Sequence, residues 1–314
     1  MDKILSIENL FVEYTVGKKI IPAVRNVSLT LNKADSLTIV GESGCGKSTL
    51  GLSILNLLPK EARIIDGKII FHEQDILRLG EKELQKIRGG KIGIVFQDPL
   101  SSLNPVIKIS QQLRETLKIH QRDFSDDKIE KLLETVQLSE PKIIKNYYPH
   151  QLSGGMRQRI MLAMAIATKP EILIADEPTT ALDVTIQKEI LELIKKLMRE
   201  FNLTVIFITH NFGIISDICN KIAVMYAGEI VEEGGTSEII KNPRHPYTKA
   251  LLSAIPKTHK VKRFNTIPGN VPDLSAMPDG CKFHPRCPRK IEKCAKEEPQ
   301  LKQKENRLLR CFNP

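Results

Sequence analysis

The 314-residue sequence has no tryptophan, and aromatic residues make up 5% of it. No run of residues comes near the roughly 18 apolar positions that a membrane-crossing helix requires. At the N-terminus, Met1-Asp2-Lys3-Ile4-Leu5-Ser6-Ile7-Glu8 places charges where a secretory signal needs an apolar stretch. These absences predict a cytoplasmic chain whose link to any membrane runs through a partner. Cysteines occur nowhere as the tight C-x2–4-C pair of a structural zinc knuckle. There is also no internal repeat or low-complexity tract. The apolar fraction of 41% and charged fraction of 27% are ordinary for a globular protein, which argues against disorder.

What is present is unevenly spread. The net charge of +10 divides into about −1 over residues 1–240 and about +11 over 241–314. The second stretch also holds ten of the 18 prolines and four of the six cysteines. This shift marks a boundary near Lys241, and the length allows one large domain with an appendage, or two domains. A basic tail is read either as a binding surface for nucleic acid or acidic membrane, or as a solvated module beside a membrane or partner.

The first 240 residues alternate β-rich runs with helical patterns, an α/β signal. Strands are expected at 4–14, 36–40, 91–96, 172–175 and 204–209. Apolar residues at Ile186, Ile190, Ile194, Leu197 and Phe201 predict a one-faced helix from Val184 to Phe201. Residues 221–233 read as a hairpin turning at Gly228. Strand signals vanish between about 98 and 165, a candidate helical subdomain inserted into the core.

Gly41-Glu42-Ser43-Gly44-Cys45-Gly46-Lys47-Ser48 fits the phosphate-binding pattern G-x-x-x-x-G-K-[ST], after an expected strand and before the helix-like run Thr49–Leu58. Glycines there let backbone N–H groups converge on phosphate oxygens beside a helix N-terminus. Lys47 is positioned for the β- and γ-phosphates and Ser48 for Mg²⁺. A second element, Ile172-Leu173-Ile174-Ala175-Asp176-Glu177, is an apolar strand ending in two carboxylates. Such a pair is common by accident, but beside a phosphate loop it reads as Asp176 for Mg²⁺ and Glu177 for the attacking water. His210 and Gln97 each end an expected strand, where either a site role or plain structure is open to them. In Leu152-Ser153-Gly154-Gly155-Met156-Arg157-Gln158-Arg159, Ser153 reads as a helix N-cap. The glycines after it permit close backbone approach, so this is a second anion-binding helix start.

Together these motifs resemble ABC transporter ATPases over residues 1 to about 240. The resemblance implies an α/β P-loop nucleotide-binding core with an N-terminal antiparallel β layer and an inserted helical subdomain. It implies ATP and Mg²⁺ as ligands: Tyr14 stacks on adenine; Gly41, Ser43, Gly44, Cys45, Gly46, Lys47, Ser48 and Thr49 hold the phosphates; Ser48, Gln97 and Asp176 serve Mg²⁺. Glu177 and His210 are implied as catalytic and Ala181-Leu182-Asp183 as the D-loop. Ser153, Gly154, Gly155 and Gln158 are implied to contact ATP held by an opposite subunit. Asp176–Asp183, Leu152–Arg159 and Asn242–Leu252 further resemble the D-type subunits of dipeptide and oligopeptide importers, a group that also includes nickel and glutathione importers. The implied partners are a second, F-type ATPase in a heterodimer, two membrane permeases and an extracytoplasmic peptide-binding protein. The implied location is the cytoplasmic face of the membrane, without nucleic acid. A soluble ABC ATPase acting on nucleic acid has only the basic tail in its favour.

Cys281, Cys287, Cys294 and Cys311 are spaced C-x5-C-x6-C-x16-C in a basic tail with little apolar material. In a cytosolic chain clustered cysteines favour metal over disulfide. All-thiolate ligation at wide spacing is compatible with a 4Fe–4S cluster, with zinc and unligated or disulfide thiols as alternatives. D-type dipeptide permease subunits are similar in bearing a cluster-binding tail. The expectation is a small metal-binding C-terminal module at 241–314, stapled by its metal. Lys282, Arg286, Arg289, Lys290 and Lys293 are expected to lower the thiol pKa values. A redox- or iron-sensing role for this module is the further rival.

Overall fold

Along Lys3–Val16 (β1) and Lys19–Asn32 (β2) apolar residues such as Leu5, Leu10, Val12, Val24, Val27 and Leu31 are buried, and the two strands pair antiparallel around Gly17-Lys18. The computed structural model describes residues 2–120, 122–180, 182–213, 218–254 and 267–314. These form two units, one from residues up to 78 together with those from 208 onward, the other from 79–207. In the first unit follow Ser36–Val40 (β3), Lys47–Ile54 (α1), Ala62–Phe71 (β4) and Gln74–Asp75 (β5). The order β2-β1-β4-β5 makes an antiparallel four-stranded layer. All five residues of β3 are buried, as expected of a central parallel strand.

The second unit contains Glu81–Ile87 (α2), Ile92–Val95 (β6), Pro99–Ser102 (α3), Ile109–Ile119 (α4), Asp126–Thr135 (α5), Pro141–Ile144 (α6), Gly154–Ile166 (α7), Ile172–Asp176 (β7) and Val184–Phe201 (α8). Parallel pairing joins β6 to β7 in the register Ile92↔Ile172 to Val95↔Ala175. Between them the helices bury one face each: Ile109, Leu113 and Leu117 on α4, Ile129, Leu132 and Leu133 on α5. The helical stretch read at 98–165 therefore falls inside this unit. On α8, Ile190, Ile194 and Leu197 are buried as the periodicity predicts, and the helix stops at Asn202, which takes the left-handed conformation at φ 50°. Thr204–Thr209 (β8) leads from this unit into the first.

The first unit resumes with Lys221–Tyr226 (β9), Glu229–Gly235 (β10), Thr236–Lys241 (α9), Pro246–Ser253 (α10), Glu292–Lys296 (α11), Lys302–Lys304 (β11) and Arg307–Leu309 (β12). The hairpin β9–β10 turns at Ala227-Gly228, both at positive φ, as a two-residue hairpin turn demands. Strand β9 runs parallel to β3, and the order β11-β12-β10-β9-β3 continues the tail into the sheet.

The C-terminal stretch therefore does not stand apart. Tyr247 and Phe283 pack with Tyr226, Val40, Val224 and Val231 in one buried cluster, their rings 4.5–5.3 Å apart. Arg307 (2% exposed) pairs at 2.9 Å with Glu232 (0%) and also with Glu238. This corrects the expectation that the tail needs a metal staple for want of apolar material. Its few apolar residues find partners on β9 and β10 as well as on one another.

Candidate functional site

The phosphate loop begins where β3 ends and runs into α1. Its glycines are set by close approach: a Cβ on Gly41 would stand 2.1 Å from the Met225 carbonyl oxygen, and one on Gly46 2.2 Å from that of Ala23. Gly44 and Gly46 also have φ of 78° and 101°, open only to glycine without strain. Lys47 is 5% exposed and donates to the carbonyls of Gly41 and Glu42, each at 3.0 Å. Burial pushes the Cys45 thiol up, with Lys47 opposing, so Cys45 sits there as a small neutral side chain. Ser43 and Gly44 are exposed at the tip, and Ser48 and Thr49 half-buried at the start of α1. The Tyr14 hydroxyl meets the Thr49 hydroxyl at 3.2 Å, which places the tyrosine beside the helix start.

In the second unit β7 delivers its two carboxylates differently. Asp176 is buried, 7% exposed. Glu177 takes a left-handed backbone at φ 45°, a strained conformation for a glutamate and of a kind that gathers at functional sites. Its Oε2 accepts from Gln97 Nε2 at 3.1 Å and from the Thr180 hydroxyl at 2.9 Å. Gln97, which follows β6, is thus brought against Glu177. Each unit by itself offers oxygen donors of the kind a hard cation takes, the Ser48 hydroxyl in the first and the Gln97 amide and Asp176 carboxylate in the second. His210 is exposed just beyond β8 in the first unit.

Ser153 caps α7, its hydroxyl accepting from Met156 N at 3.2 Å. Gly155 is a glycine for packing, since a Cβ would come within 2.8 Å of Ile186. Gln158, five residues beyond the cap, is 1% exposed, and its amide nitrogen is buried without a hydrogen-bond partner. Asp183 caps α8, accepting from the N–H groups of Thr185 and Ile186 at 3.1 and 3.0 Å. Ala181 lies outside the described residues.

Cys281, Cys287, Cys294 and Cys311 line one small cavity with His245, Phe283, His284 and Arg289, and all are free thiols. Among the described residues no three His, Cys, Asp or Glu side chains are set to hold a metal ion. The expected lowering of the thiol pKa values is corrected. Burial pushes Cys281 up to about 11, and raises Cys287 and Cys311. Two of the cations counted on face elsewhere: Lys282 pairs with Glu298 and Arg286 with Glu42. Sequence reading gave Glu42 and Tyr247 no role and set Arg286 beside the cysteines instead of the loop, since the loop pattern leaves position 42 unspecified.

Comparison with known proteins identifies the family. The ABC transporter family pattern matches residues 24–180, and the pattern described as "Oligopeptide/dipeptide transporter, C-terminal region" matches 231–294. The dipeptide transport ATP-binding protein DppD of Bacillus subtilis is 43% identical over 99% of this chain and 95% of its own length. The oligopeptide transport ATP-binding protein OppD of Escherichia coli is 41% identical over 100% of this chain and 94% of its own. Among solved structures, a dimeric ATP-binding cassette in a post-hydrolysis state with ADP and Pi is similar at 31% identity and TM-score 0.66, over 74% of this chain and 99% of that one. The chain belongs to the ATP-binding subunits of ABC transporters, in the branch that carries the oligopeptide/dipeptide transporter C-terminal region.

Proposed function

We propose that this chain powers the import of dipeptides or oligopeptides, binding and hydrolysing ATP on the cytoplasmic face of a membrane. The observation that carries the cargo reading is the match of residues 231–294, together with relatives named for dipeptide and oligopeptide transport. No described helix is long and apolar enough to cross a membrane, so passage is assigned to two separate permeases. A second, F-type ATPase completes a heterodimer, and an extracytoplasmic binding protein presents the peptide.

In the proposed cycle Tyr14 stacks on adenine. Gly41, Ser43, Gly44, Cys45, Gly46, Ser48 and Thr49 and the ammonium of Lys47 take the phosphates. Ser48, Asp176 and Gln97 would hold Mg²⁺, which neutralises phosphate charge when bound. Water attacks the γ-phosphorus, the bond to the β–γ bridging oxygen breaks, and Glu177 accepts the water proton while His210 steadies the water. Ser153, Gly154 and Gly155 reach the γ-phosphate of the opposite subunit, and Asp183 orders the same interface. ATP favours the closed pair and hydrolysis releases it, a population shift set by differential affinity.

We assign the four tail cysteines to a metal centre as well, supported by their lining a single cavity. A 4Fe–4S cluster is the reading, and anaerobic protein should then carry about four irons per chain. About one zinc per chain, without iron, would replace it. The cargo reading is tested by ATP-dependent uptake of a labelled dipeptide into vesicles holding the chain with its permeases. Uptake of nickel or glutathione in place of peptide would sink it.

A further inference from the structure

Glu42 sits in the phosphate loop with its N–H, its carbonyl and its carboxylate all engaged. Its N–H donates to the Tyr247 hydroxyl at 2.9 Å. Its carbonyl accepts from Lys47 at 3.0 Å. Its carboxylate accepts two bonds from the Arg286 guanidinium, at 2.8 and 3.0 Å. Arg286 is itself fixed: its side chain is 5% exposed, its Nε donates to the Pro268 carbonyl at 2.9 Å, and its guanidinium lies 5.8 Å from the centre of the Tyr226 ring. Tyr247 is fully buried among Tyr226 and Phe283. Both residues come from the C-terminal extension, more than 200 positions from the loop they hold.

A carboxylate is an awkward neighbour for a loop that must bind a polyanion, because like charges at this range repel through a poorly screening interior. A bidentate guanidinium removes that repulsion and fixes the carboxylate's direction at once. The N–H of Glu42 is taken up by the tyrosine hydroxyl, which fixes the backbone of the loop at this position. We propose that Arg286 and Tyr247 are positioning residues for ATP: the C-terminal extension neutralises and orients Glu42, and so completes the phosphate site from behind. This inference rests on reading residues 41–48 as that site.

The test measures the dissociation constant of full-length chain for Mg·ATP, and kcat and KM for ATP in the assembled transporter. Arg286→Gln leaves the carboxylate uncompensated and should raise Kd and KM about tenfold, with kcat within about twofold. Adding Glu42→Gln to it removes the offending charge, so the double variant should return to within about threefold of the parent. A merely structural arginine gives the opposite, a double variant at least as impaired as the single. That result, or an unchanged Kd in Arg286→Gln, overturns the proposal. Should Arg286→Gln melt below the assay temperature, Tyr247→Phe carries the test through loss of one hydroxyl. It should raise Kd about threefold, and an unchanged Kd overturns the assignment. Lys47→Ala separates the two readings. Parental affinity in that variant would show that the phosphate site itself is misplaced, whereas its loss leaves the Arg286 result to decide alone.

Discussion

Replacing Glu177 with glutamine isolates proton acceptance from shape. In the parent, Oε2 accepts from Gln97 at 3.1 Å and Thr180 at 2.9 Å. A glutamine whose carbonyl oxygen occupies the Oε2 position keeps both bonds and directs its NH₂ where Oε1 was. The left-handed backbone at residue 177 is no harder for glutamine than for glutamate, since their Cβ substituents are alike. Stability and ATP affinity should therefore hold, within about 0.5 kcal/mol and about twofold. What the amide cannot do is take the proton from attacking water. Loss of a general base costs roughly 10²–10⁴ in rate, or about 3–5 kcal/mol of barrier. Steady-state phosphate release from the assembled transporter should fall by that factor, while a fluorescent nucleotide displaced by ATP reports unchanged binding. A kcat within about tenfold of the parent, at intact binding, would mean that another group accepts the proton.

Arg307→Met should destabilise the chain by about 3 kcal/mol in urea unfolding. It leaves Glu232 buried without its guanidinium, and the N–H groups of Arg244 and His245, at 2.9 and 3.0 Å, keep the loss at the low end for a broken buried pair; a loss under about 1 kcal/mol would refute this. Burial pushes the Glu233 carboxyl up to about 7, with Lys221 opposing. The folded state therefore binds a proton that the unfolded state has released, and stability should fall as pH rises from about 4.5 to about 7. Glu233→Gln should flatten that part of the stability profile, and an unaltered slope would exclude Glu233 as its source. Ser153→Arg should leave Mg·ATP affinity of the lone chain unchanged while suppressing ATP-driven pairing with the partner ATPase, measured by light scattering. Equal loss of affinity in the lone chain would assign Ser153 to that chain's own site.

Local chemistry was legible wherever a short stretch carries its own reason. The apolar spacing on α8 matches its buried face because a helix repeats within the stretch itself. The largely apolar β3 and β7 likewise announce buried strands. Gly41 and Gly46 were readable because the loop pattern encodes the backbone approach that forbids a Cβ there. By contrast β2 and β4 were not singled out, since their pairing with β1 is a tertiary fact and Ala62–Phe71 is mostly exposed or half-buried. The burial of Gln158 was not legible, because a motif position says nothing about which way its helix face turns.

The tail shows where reading along the chain breaks down physically. Five cations near four cysteines suggest a field that stabilises thiolates, yet a field depends on where charges point. Lys282 and Arg286 direct theirs at Glu298 and Glu42, and burial then dominates at Cys281, Cys287 and Cys311. The same displacement that removes Arg286 from the cysteines brings it to the phosphate loop, 244 positions away. A charge next to Cys287 in sequence is, in space, bonded to the Glu42 carboxylate. Any change to the turn from Cys281 to Cys287 therefore bears on Glu42 through one rigid side chain. Mutations in the extension that alter nucleotide affinity need no contact with nucleotide to be explained.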